Sequence, residues 1–201
     1  MNDESAASPS SIVKMHYTVP DFMEETAHNI PYAAFNLSFE KKERELLQKK
    51  GALSILEKTV HEKLIRTYFD CFHPSFPIVD RGGFLRLYET NSVPLLLLHG
   101  IYLVAATHCE QHVITSAGWS SRQAVRLGFY QRAKALYDAD YESDTTTVVQ
   151  ALLLMSFWWG GPLDQKDTWH WLGCAIRLAQ TKGMHRSYVL SLSYSIQALI
   201  Q

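Results

Sequence analysis

Leu56, Val60, Leu64, Tyr68, Phe69 and Phe72 fall at steps of three and four, which lays one apolar stripe along a helix. The run His73-Pro74-Ser75-Phe76-Pro77 ends it, because each proline disfavours helical geometry in the residue before it. A short helix follows from Phe84 to Tyr88. The next spans about Pro94 to Glu110, with Ser92 as its candidate cap and Pro94 near the first turn, where a missing N–H costs nothing. Gly118 breaks the chain, and Ser120 or Ser121 caps a long amphipathic helix to about Tyr137. Its Val125, Phe129, Ala133 and Leu136 point inward, while Arg122, Arg126, Arg132 and Lys134 reach water. Asp144 suits the N-cap of a helix through Trp159, and its charge suits the positive end of the helix dipole. Gly160-Gly161-Pro162 forces a turn. Asp164 or Asp167 then opens a last helix from Trp169 to Lys182, with Gly183 where a left-handed cap falls. No alternating stretch is long enough to demand a sheet. The pattern predicts an all-α fold of about six helices.

Outside residues 56–187 the periodicity fails. Residues 1–40 carry six acids and one lysine, with Pro9, Pro20 and Pro31 spaced through them, which reads as a flexible acidic leader. Residues 41–50, KKERELLQKK, read as a solvated helix end or a nuclear-import signal. After Arg186 the last 15 residues carry no charge and mix Val, Ile, Leu, Tyr and Ser, as a short helix or a sticky strand would. The expected division is a leader over 1–55, a helical domain over 56–187 and an uncharged tail over 188–201 that is not native to the fold.

Composition removes several functional classes. The 201 residues hold 19 basic and 20 acidic side chains, and a net charge of −1 argues against a free-standing nucleic-acid binder. Three unpatterned cysteines exclude a disulfide scaffold and point to a reducing compartment. The acidic, polar N-terminus lacks the basic start and apolar run of a secretory signal. The longest apolar run, Val93 to Ala106, has 14 residues and includes His99; a membrane span needs about 20, so this is a core helix. The chain is expected to be soluble and intracellular.

Catalytic motifs are missing. His61-Glu62-Lys63-Leu64-Ile65 has Ile where a zinc-protease helix needs its second His, and no nucleophile elbow, phosphate loop or dinucleotide fingerprint occurs. His108, Cys109 and His112 are the best metal candidates, since i and i+4 share a helical face, but no second ligand cluster accompanies them. Trp158, Trp159, Trp169 and Trp171, with Phe157, flank the Gly160-Gly161-Pro162 turn. Such a group lines a small-molecule pocket, anchors a partner, or joins two antiparallel helices. His185 and Arg186, just past Gly183, accept an anion or satisfy helix-end carbonyls. Candidate effector or partner contacts are therefore Trp158, Trp159, Trp169, His185 and Arg186.

Four strings in register carry a resemblance: YFDCFHPSFPIVD (68–80), RAKALYDADYESD (132–144), QALLLMSFWWG (150–160) and WHWLGCAIRLAQTKGMHRS (169–187). In this order they resemble the middle homology region of fungal zinc-cluster transcription factors, the fungal-specific transcription factor domain, and look most like regulators of the cutinase-transcription-factor type. The resemblance covers about Leu56 to Ser187. It implies a helical regulatory domain of a nuclear transcription regulator, not an enzyme, which relays or restrains activation and in some members responds to small molecules. It also implies other transcription-factor subunits or family members as partners. Zinc and DNA contact belong, in this family, to a separate six-cysteine cluster; residues 1–55 contain no cysteine, so no zinc or DNA contact carries over to this chain. Family members continue through further helices, so this chain is expected to be the N-terminal part of a larger helical fold, apparently truncated. A partner-dependent modulator, or a gene fragment, is the alternative reading.

Overall fold

A computed structural model describes residues 32–161 and 164–186, with side chains from residue 41 onward. The leader before residue 32 and the tail over 188–201 lie outside the described residues. The chain divides into two units, 1–41 and 42–201, and the apolar core belongs to the second. Among the described residues, eight α-helices run in order: α1 Tyr32–Lys49, α2 Lys58–Thr67, α3 Arg81–Glu89, α4 Leu95–His108, α5 Gln111–Ser116, α6 Arg122–Asp138, α7 Thr145–Met155 and α8 Thr168–Thr181. Residues Tyr68–Phe72 extend α2 as one wider π turn. No strand occurs among the described residues, so the fold is all-α as the periodicity predicts.

Capping chemistry punctuates the chain where local sequence demands it. Asp80, Ser121, Asp144 and Asp167 each accept hydrogen bonds from the first-turn N–H groups of α3, α6, α7 and α8. The exits of α1, α3, α5, α6 and α8 share one device. At Gly51, Asn91, Gly118, Asp140 and Gly183 φ turns positive, and two N–H groups bond back over the last turn. After α8, Gly183 donates to Gln180 and Met184 to Ala179, each at 2.9 Å.

The differences from the sequence reading have tertiary causes. α1 occupies part of the segment read as leader: most of residues 41–50 face water, but Leu47 and Ala52 are buried in the core. A single inward leucine leaves no periodic signature. α4 begins after Pro94 without a side-chain cap, and Ser92 bonds the Thr90 carbonyl instead. It stops at His108 because Cys109 and Glu110 are extended, and α5 follows as an extra short helix. α7 ends at Met155, four residues before Trp159.

α4 is the axis of the core. Every residue from Leu96 to Ala106 is buried, and the helix packs against α2, the π turn, α6 and α7; α8 lies on α7. Gly100 lets α4 approach α7 closely, since a Cβ there would lie 3.2 Å from the Leu154 Cβ. The arginines of α6 do not simply reach water. Arg122 donates to the Ala106 and Thr107 carbonyls at 2.8 and 2.7 Å, Arg126 donates to the Phe157 carbonyl at 2.9 Å, and Arg132 lies over the Trp119 and Phe129 rings. A guanidinium has a planar fan of donors, so it can serve helix-end carbonyls from a half-buried position.

Candidate functional site

The connection between α7 and α8 is built from aromatic residues of opposite fates. Trp158 is buried, stacked on Tyr130 of α6 with ring centroids 5.0 Å apart, and the Arg126 guanidinium lies over it at 5.7 Å. Trp171, fully buried on the inner side of α8, meets Tyr130 and Tyr137 edge-on, and Lys166 covers its ring. Trp159 and Trp169, by contrast, are 64% and 79% exposed. The four tryptophans therefore do not share one pocket: two hold α6, α7 and α8 together, and two project into water.

An open groove of about 820 Å³ runs over Trp158 and Tyr130 and is lined also by Lys134, Lys166, Gly160 and Asp164. Its charge is compensated. Asp138 pairs with Lys134 and, at 3.3 Å, with Lys166. Burial works to raise the Asp138 carboxyl, but these two ammonium groups hold it below its ordinary range. Tyr130 escaped the sequence reading, which took Phe129 alone as the inward aromatic at this turn of α6.

The remaining candidates lie apart. His185 and Arg186 are exposed beyond the Gly183 cap, where the Arg186 N–H bonds the Gly183 carbonyl at 3.0 Å. His108 ends α4, Cys109 is buried in extended backbone and His112 belongs to α5, so the supposed shared helical face is broken. His112 faces Glu110 at 3.1 Å. Among the described residues no three His, Cys, Asp or Glu side chains gather as metal ligands would. A further polar contact went unnoticed in the sequence: His61 Nδ1 meets the hydroxyl of buried Tyr102, and the imidazole stacks on Tyr88 at 5.3 Å. Only its partner 41 residues away gives it meaning.

The fungal specific transcription factor domain matches residues 65–197, which takes in part of the segment read as a foreign tail. Cutinase transcription factor 1 beta of Fusarium vanettenii is 40% identical over 146 residues, covering 70% of this chain and 17% of that protein. Cutinase transcription factor 1 alpha of the same organism is 36% identical over 176 residues, 86% of this chain and 19% of that protein. The acetamidase regulatory protein of Aspergillus fumigatus is 33% identical over 148 residues, 70% of this chain and 18% of that protein. The chain thus spans less than a fifth of the length of these relatives. No solved structure matches it.

Proposed function

Because the chain belongs to the fungal-specific transcription factor domain family and carries a regulatory region of a fungal transcription factor, we propose that it acts in the nucleus by contact with other transcription-factor subunits. DNA recognition and zinc would belong to a separate part of the whole protein, and this region would perform no chemistry of its own. One observation carries the choice of surface. On α8, Trp169 and Ile176 are 79% and 53% exposed and seven residues apart, which sets them two turns apart on one face. A bare tryptophan in register with a bare isoleucine is the composition of a surface that a partner covers. His185 and Arg186 lie just beyond the C-terminal end of this helix and extend the candidate contact. Partners include family members, which would pair through the same face.

The test is a reporter assay with the chain fused to an unrelated DNA-binding domain. The fusion should change reporter output, and Trp169→Ala with Ile176→Ala should return output to that of the DNA-binding domain alone at equal protein level. A fusion whose output ignores the double substitution overturns this assignment of the surface.

A further inference from the structure

A second recess, away from α8, combines aromatic walls with a cation that no acid among the described residues neutralises. It measures about 280 Å³ and lies between the π turn, the end of α4 and the segment after α7. Its walls are Phe72, Phe76 and Phe157, whose ring centroids are 4.8 to 5.3 Å apart. Phe76 and Phe157 remain 47% and 37% exposed, so the fold gathers three phenyl rings without closing them over. That arrangement is a poor use of apolar surface unless something else fills it.

Arg126 reaches this recess from α6. One terminal nitrogen serves the Phe157 carbonyl, and the Trp158 ring occupies one face of the guanidinium. Its Nε is shielded from water and has no partner among the described residues. No carboxylate among the described residues pairs with it. Burial, with Arg122 as a second cation nearby, works against its charge. A half-buried guanidinium without an acid partner is costly, and a carboxylate is the group whose geometry suits the terminal nitrogens that face the recess.

We infer that this recess binds a small aromatic carboxylate, its ring among Phe72, Phe76 and Phe157 and its carboxylate on Arg126. The volume lies just below that of pockets for drug-sized ligands, which fits one ring bearing a short acid and excludes a nucleotide. Ring-on-ring contact favours an aromatic body over an alkyl chain of equal size. Arg126 lies on a different helix from the Trp169 face, so the site stands independently of the partner surface on α8.

Benzoate titrated into the purified 201-residue chain by calorimetry is the direct test. It should bind at least about tenfold more tightly than benzyl alcohol, which lacks the charge, and than acetate, which lacks the ring, a difference of about 1.4 kcal/mol. Arg126→Gln should remove binding. Because Arg126 also holds the Phe157 carbonyl, Phe76→Ala on the exposed turn is the second variant; it should weaken binding about tenfold while the chain stays folded. Trp169→Ala should bind as the parent does. Equal affinity for benzoate and benzyl alcohol, no heat with benzoate at millimolar concentration, or unchanged binding by Phe76→Ala would each overturn the site.

Discussion

His99 lies in the second turn of α4 with no exposed surface, and its Nε2 lies 2.9 Å from the carbonyl oxygen of Ala52. A carbonyl only accepts, so Nε2 carries the proton, and Nδ1 has no partner among the described residues. Burial brings the imidazole down to about 4 from its ordinary 6.5; the Ala52 bond opposes this and the nearby Arg132 adds to it. Above pH 6.5 the imidazole is neutral folded or unfolded, and no linkage arises. Between 6.5 and 4 the unfolded chain takes up a proton that the folded one refuses, so stability falls as the pH falls through that window. Urea titrations should show the chain about 2 kcal/mol less stable at pH 5 than at pH 7. His61 is lowered in the same direction by burial, so His99→Gln should flatten most of the slope and leave a smaller remainder. A slope unchanged by that substitution would remove His99 from this role. The sequence placed His99 in a buried run, but its bond to a backbone carbonyl 47 residues earlier has no signature in residue types. The tryptophans carry the same lesson: Trp158 and Trp159 are neighbours of identical chemistry, yet one is buried and the other 64% exposed, which residue type alone does not decide.

At the scale of elements, what was legible is what capping chemistry writes locally. Ser121, Asp144, Asp167 and Gly183 each punctuate a helix as their residue types require, because a cap bonds its own next turn. The Asp144 carboxyl is held below its ordinary range by the Thr147 hydroxyl and N–H groups, the mark of a fully used cap. Helix contacts were not legible, since they depend on partners distant in the chain. Gly100 shows this best. In a helix interior glycine is about 1 kcal/mol worse than alanine, so its presence in α4 has to be repaid by proximity. Here the Leu154 Cβ and Cδ1 would lie 3.2 and 3.3 Å from any Cβ, with the Ala151 carbonyl at 3.6 Å. Valine at this position would force α4 and α7 apart. Gly100→Val should therefore destabilise the chain by about 2 kcal/mol, within the range for overpacked cores. Chemical denaturation measures this, and a variant as stable as the parent would mean that α7 gives way freely.

The unit from residue 42 onward is built on a core gathered around α4, with one helix, α8, that seals one side of that core and offers its other side to water. Trp169 and Trp171, two residues apart, divide these tasks. Trp171 is fully buried against Tyr130 and Tyr137, and truncating such a side chain leaves a large cavity. Trp171→Ala should cost about 3 to 5 kcal/mol, a large part of what a domain of this size has to lose. Trp169→Ala removes a ring that touches mostly solvent, and should change stability by no more than about 0.5 kcal/mol. The same substitution should also cut the acrylamide quenching of the native chain's fluorescence, because Trp169 and Trp159 are its water-facing indoles. Stability read beside quenching separates a core helix from an interface helix within one element. If Trp169→Ala unfolds the chain as Trp171→Ala does, the outer face of α8 is holding the fold together and is not free to hold a partner. If stability stays and quenching falls, that face is surplus to folding, which is the condition a surface must meet before it can regulate anything.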